Sequence, residues 1–92
     1  MVMLELEVTN QFKKDLKRIR KQGKDLNLLT TVLHLLLGEQ VLDTKYRDHA
    51  LTGNYIGFRE CHIQPDWLLI YMINHDKLIL TASRTGSHSD LF

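Results

Sequence analysis

Seven consecutive apolar residues, Trp67-Leu68-Leu69-Ile70-Tyr71-Met72-Ile73, constrain this 92-residue chain more than any other segment. The run follows a Pro65-Asp66 break and ends in Asn74-His75-Asp76, a turn sequence. It is far short of the ~18–20 residues that span a membrane. It has the length of a strand. Alternation sends Trp67, Leu69, Tyr71 and Ile73 to one side and Leu68, Ile70 and Met72 to the other. Both sides are apolar, so this strand belongs in the middle of a sheet.

The flanking segments supply the rest of that sheet. Tyr55–Ile63 and Lys77–Ser83 read as strands, and the turn at 74–76 makes the second pair an antiparallel hairpin. Residues 2–8 also read as a strand, with Leu4, Leu6 and Val8 inward and Glu5 and Glu7 wet. Thr9 or Asn10 can cap a helix whose buried stripe is Phe12, Leu16 and Ile19, ended by Gly23. Asp25 can cap a second helix over 26–37. Its wide apolar face, Leu26, Leu29, Val32, Leu33, Leu36 and Leu37, is extended by Leu28 and Leu35, and Gly38 ends it. The short break between the helices predicts a hairpin. Residues 39–54 show no period and read as a long connection, where function often resides. The expected fold is α+β: one domain over 1–92, with a strand, a helical hairpin, then antiparallel strands in a twisted sheet with the helices packed on one face.

Composition narrows the class. With 43% hydrophobic and 25% charged residues, the chain is globular rather than disordered or collagenous. Its single cysteine, Cys61, cannot form an internal disulfide, which fits a reducing cytoplasm. The first residues lack the basic-then-apolar order of a signal peptide. The net charge of +1 conceals an asymmetry. Lys13, Lys14, Lys17, Arg18, Arg20, Lys21 and Lys24 crowd positions 13–24 with only Asp15 against them, leaving five basic and ten acidic residues elsewhere. Such a stripe is either a solvated face or a footprint for phosphate or an acidic partner.

Five histidines are many for this length. His34, among leucines in the second helix, reads as partly buried, and His75 as an exposed turn residue. His49 lies in the irregular connection, His62 at a strand end four residues before Asp66, and His88 in the tail. These three sit where a scaffold hands off to loops. Histidine can take or give a proton near neutral pH. RNA cleavage by its own 2′-hydroxyl needs a base, an acid and a cation for the phosphorane. Arg84 and Arg59 are the candidate cations. Alternation puts His62 with Phe58 and Glu60, and Arg59 with Cys61 and Ile63, which favours Arg84. His49, His62, Asp66 and His88 could instead bind zinc, but their spacing matches no standard ligand pattern, so neither metal nor cofactor is expected. Trp67 reads as core or site aromatic, and Phe92 as docked in the core or stacked on a base.

Three blocks carry a resemblance: Asp48-His49-Ala50-Leu51-Thr52-Gly53, Phe58-Arg59-Glu60-Cys61-His62-Ile63-Gln64-Pro65-Asp66-Trp67-Leu68-Leu69-Ile70-Tyr71, and Arg84-Thr85-Gly86-Ser87-His88-Ser89-Asp90-Leu91-Phe92. Together and in this order, the chain resembles the YafQ-type toxins of the RelE superfamily. The resemblance implies a bacterial type II toxin that cleaves mRNA in the ribosomal A site without metal. It implies His49, His62, Asp66 and His88 as the catalytic set, Arg84 as the phosphate-binding cation, and Trp67 and Phe92 as site aromatics. His49 would be the base and His88 the acid, with His62 and Asp66 orienting the substrate or tuning the pKa values of those two. Lys13, Lys14, Lys17, Arg18 and Lys21 would meet RNA phosphates. The implied partners are a DinJ- or RelB-like antitoxin, the ribosome and mRNA, with no membrane. Polar Ser89-Asp90 departs from the family's small apolar residues. The alternatives are a ParE-like toxin that binds a protein target and an inactive nucleic-acid-binding module.

Overall fold

The computed structural model describes residues 3–92. Its elements run β1 (Glu5–Val8), α1 (Asn10–Lys21), α2 (Leu26–Leu37), β2 (His49–Ala50), β3 (Arg59–Gln64), β4 (Trp67–Asn74), β5 (Ile79–Gly86) and α3 (His88–Leu91). Five strands form one sheet in the order β1-β5-β4-β3-β2. The apolar run is β4, in the middle as its two apolar faces require. Neighbouring β5 and β3 pair with it antiparallel, and β2 pairs antiparallel with β3. β1 pairs parallel with β5, from Glu5 opposite Ile79 to Val8 opposite Ala82.

The two faces of β4 serve different layers. Trp67, Leu69 and Tyr71 pack with Phe12 and Ile19 of α1 and with Leu29, Val32 and Leu36 of α2. This is the expected helical layer. Leu68 and Ile70 face the other way, where Leu91 of α3 and the half-buried Leu51, Tyr55 and Phe58 cover them. Both helix starts were legible. The Thr9 hydroxyl accepts the Phe12 N–H at 3.0 Å, and the Asp25 carboxylate accepts that of Asn27 at 3.0 Å. After α1, Gly23 takes φ +77°, a conformation glycine adopts without penalty.

Several expectations change. Val2, placed in the first strand, lies outside the described residues. Leu6 is 43% exposed, because β1 is an outermost strand and its middle is left uncovered. The third long strand ends at Gly86 rather than Ser83, and β3 begins at Arg59 rather than Tyr55. The connection over 39–54 contains 3₁₀ turns at Thr44–Tyr46 and Gly53–Tyr55 and the two-residue β2. These pieces are too short to show a period and are held by contacts with β3. His34 is exposed on α2, and His75 is exposed with Nε2 at 3.4 Å from Glu39.

Candidate active site

Cross-strand pairing assembles the site. His49, Glu60, Ile70 and Arg84 stand opposite one another across β2, β3, β4 and β5. Cross-strand partners share a face, here the one opposite the two long helices. His62 is one pair further along, opposite Leu68. Arg84 joins this row because of a β-bulge. Tyr71 pairs with Ala82 and Ile70 with Arg84, so Ser83 is a surplus residue. In an unbulged strand, residues 82 and 84 would share a face and Arg84 would join Ala82 on the buried one.

Two histidines converge on one buried carboxylate. Glu60 Oε1 lies 3.6 Å from Nε2 of His49 and 3.6 Å from Nε2 of His62. The opposite ring nitrogens are held by backbone: His49 Nδ1 lies 2.6 Å from the Arg47 carbonyl and His62 Nδ1 3.1 Å from the Pro65 carbonyl. A carbonyl only accepts, so hydrogen-bond logic puts the hydrogen on each Nδ1. Nε2 is then the atom left to exchange protons with a substrate.

The tail supplies the third histidine. Ser87 and Asp90 form a reciprocal cap: the Ser87 hydroxyl accepts the Asp90 N–H at 3.2 Å, and the Asp90 carboxylate accepts the Ser87 N–H at 3.1 Å. These bonds hold the Asp90 carboxyl below its usual range. The polar pair Ser89-Asp90 is thereby the start of a helical turn, which was not legible as one. Buried Leu91 pins the turn to the sheet and leaves Phe92 59% exposed. Asp66 accepts the backbone N–H of His88 at 3.1 Å, while His88 Nδ1 stands 3.8 Å from the same carboxylate oxygen. Asp66 thus anchors the tail, whereas His62 is anchored by Pro65.

The rings form a line. His49 and His62 are 6.5 Å apart, His62 and His88 6.3 Å, His88 and Phe92 5.8 Å, and Phe92 and Tyr55 5.5 Å, centroid to centroid. His62 is the middle histidine, and its side chain is 11% exposed against 49% for His49 and 61% for His88. The two outer histidines are therefore the accessible ones.

Two expected site residues are placed where they cannot face a ligand freely, and both candidate arginine cations are ion-paired. Trp67 is fully buried on the helical face and donates Nε1–H to the Thr85 hydroxyl at 2.9 Å, so it cannot stack on a base. Arg18 turns inward from the basic stripe, bonding Asp15 at 2.9 Å and the Thr85 carbonyl at 2.9 Å, while Lys13, Lys14, Lys17 and Lys21 stay exposed. Arg84 is held by Asp15 through Nε at 2.8 Å and Nη2 at 3.2 Å. Arg59 is ion-paired with Asp48 at 3.1 Å. Sequence reasoning missed Glu60, Tyr55 and Asp15. Glu60 shares a face with His62 by simple alternation, and Asp15 sits three residues after Phe12 on a helix, beside the apolar stripe. Tyr55, read from sequence as the start of a strand, ends a 3₁₀ turn instead. Among the described residues, no three of His, Cys, Asp or Glu converge as metal ligands would.

Comparison with known proteins decides the family. The model for "Bacterial toxin of type II toxin-antitoxin system, YafQ" matches residues 4–92. The chain belongs to the YafQ toxin family. It is similar to the mRNA interferase toxin YafQ of Escherichia coli K12, 41% identical over 93 residues that cover 100% of this chain and 99% of that protein. A crystal structure of a metal-bound toxin from Helicobacter pylori superposes with TM-score 0.93 at 49% identity, covering 98% of this chain and 100% of that one. YafQ in the E. coli DinJ–YafQ toxin–antitoxin complex superposes with TM-score 0.89 at 37% identity, covering 99% of each chain. The YafQ fold places no helix of the described residues that is long and apolar enough to cross a membrane.

Proposed function

We propose that this YafQ-family chain is an endoribonuclease, an mRNA interferase that acts in the cytoplasm on mRNA in the ribosomal A site and is held in check by a DinJ-like antitoxin. The observation that carries this reading is the line of His49, His62 and His88, delivered by β2, β3 and α3, with backbone-locked Nδ1 atoms on the first two and buried Glu60 beneath them. A ParE-like protein-binding toxin has no use for such an arrangement.

The reaction needs two proton transfers. A base takes the 2′-hydroxyl proton, the 2′-oxygen attacks the phosphorus, and an acid protonates the departing 5′-oxygen. The base and the acid must flank the phosphate, because attack and departure are in line. His49 and His88 are the outer, exposed rings, and they take the roles of base and acid. His62 sits between them, 3.6 Å from Glu60, and it orients the phosphate or relays a proton. Asp66 fixes the backbone of His88. Arg84 provides the cation for the phosphorane, where a positioned donor is worth several kcal/mol. Phe92 offers an exposed ring for a base. Lys13, Lys14, Lys17 and Lys21 face solvent together and suit ribosomal RNA phosphates, which makes binding steeply salt-dependent. Positioning by the ribosome compensates for a site open on one side.

The test is a translation reaction with purified protein and a defined mRNA. Cuts that leave a cyclic phosphate and a 5′-hydroxyl, seen only with ribosomes, are expected. Histidine to alanine at 49 or 88 should slow them by at least ~100-fold. A His88→Ala protein that cuts at the wild-type rate would remove the acid assignment, and an absence of cuts from the wild type would remove the ribonuclease reading.

A further inference from the structure

Asp15 is the lone acid in the basic stripe, and it is fully buried. Its two oxygens receive Arg84 through Nε at 2.8 Å and Nη2 at 3.2 Å, Arg18 Nη1 at 2.9 Å, the Thr85 N–H at 3.1 Å and Gln11 Nε2 at 3.4 Å. Burial pushes its carboxyl up, but the bonds from Arg84, Thr85, Arg18 and Gln11 outweigh that and hold it below the ordinary carboxylate value. The carboxylate therefore stays charged. Arg18 extends the chain: its Nη2 donates to the Thr85 carbonyl at 2.9 Å, and its Nε lies 3.5 Å from the Asp90 carboxylate that caps α3. Gly86 leaves room for this. A Cβ there would stand 2.4 Å from Arg18 Nη2.

We propose that Asp15 is a positioning residue of the cleavage reaction, fixing the Arg84 guanidinium. An arginine side chain has many rotamers, and a free one must be ordered before it can meet a phosphorane. Asp15 takes the Nε and Nη2 edge, so Nη1 is the nitrogen left for substrate. The ordering is complete before RNA arrives, which is what makes a donor effective on a developing charge. A carboxylate that served only to hold α1 against β5 would have no need of Arg84, since Arg18 and the Thr85 N–H already join those two elements.

This inference rests on the ribonuclease reading, and its test separates the two. Cleavage rates are measured for wild type, Asp15→Asn, Arg84→Ala and the double variant. Asp15→Asn should slow cleavage by about 10- to 100-fold and should add less than about twofold in the Arg84→Ala background, because Asp15 works through that side chain. A wild-type rate in Asp15→Asn, or an equal loss in both backgrounds, overturns the proposal. A second measurement needs only the wild-type protein. In nitrogen-15 NMR, the Arg84 Nε–H should exchange slowly with solvent and stay in place when a 2′-deoxy analogue of the mRNA binds, while an Nη signal shifts. An Arg84 Nε–H that exchanges like a free guanidinium overturns the proposal whether or not Asp15→Asn folds. If the wild type fails to cut while this NMR signature is present, the ribonuclease reading fails and the Asp15–Arg84 geometry stands.

Discussion

Replacing Thr85 by valine separates a structural role for Trp67 from a catalytic one. Thr85 is fully buried on β5. Its hydroxyl accepts the Trp67 Nε1–H at 2.9 Å and donates to the Leu68 carbonyl at 2.7 Å. Valine keeps the shape and removes both bonds. Trp67 is also fully buried, so its N–H gains no water in exchange. Leaving a buried polar group unpaired costs about 1–3 kcal/mol, which for two groups gives about 2–6 kcal/mol. For a chain this size each kcal/mol lowers Tm by ~4–8 °C, so a fall of at least about 8 °C is expected. Calorimetry and urea unfolding followed by circular dichroism measure it, with the m-value unchanged. Trp67→Phe removes the donor instead and leaves the Thr85 hydroxyl its bond to Leu68. In the double variant the indole N–H is gone, so the combined loss should be about 1–2 kcal/mol less than the sum of the singles. Both folded variants should cleave RNA within a few-fold of wild type at low temperature. A Tm shift under about 2 °C for Thr85→Val would refute the hydrogen-bond accounting. A folded Trp67→Phe protein that has lost cleavage would return the tryptophan to the reaction.

Other perturbations follow from the same geometry. Phe92→Ala should leave Tm unchanged, since the ring is 59% exposed, and should weaken RNA capture by the ~1–3 kcal/mol of one stacked base, read as cleavage at limiting ribosome concentration. The Asp15 carboxyl is held below its ordinary value, so its stabilisation is complete above about pH 4 and fades as pH falls through the folded value. The stability gap between wild type and Asp15→Asn should therefore shrink on acidification, which urea titrations at several pH values will show. Burial pushes the Cys61 thiol up to about 12. Iodoacetamide should leave it untouched near pH 8 in the native protein and label it in urea, as mass spectrometry can count.

The legible parts of the molecule are those with a repeating physical signal. β4 declared itself central by being apolar on both faces, and α1 and α2 by stripes, caps and terminal glycines. Elements without room for a period stayed hidden. β2 has two residues and exists through its pairing with β3, and α3 is a four-residue turn made by a cap and one leucine. The site divides along the same line. His49, His62 and His88 could be named from position, but Glu60 joins them only when β2 folds back on β3. Trp67 is buried and Arg18 is tied to Asp15 and Thr85: composition says what a side chain can do, while its surroundings decide whether it can reach a ligand.

β5 extends past the end of β1 by its last four residues, and this bears on how other chains can join the sheet. An uncovered strand edge invites an extended segment from a neighbouring chain, the route to swapping and aggregation. Here α1 shields it. Thr9 donates its N–H to the Ala82 carbonyl at 3.2 Å and its hydroxyl to the Ser83 carbonyl at 2.8 Å, while Asp15 and Arg18 occupy the N–H and carbonyl of Thr85. A helix thus satisfies, through side chains, backbone groups that a sixth strand would otherwise claim. Among the described residues, the outer edges of β1, of the two-residue β2 and of β3 beyond Glu60 remain for strand addition, so an incoming β-ribbon is steered to the flanks of the sheet and away from the strand that carries Arg84.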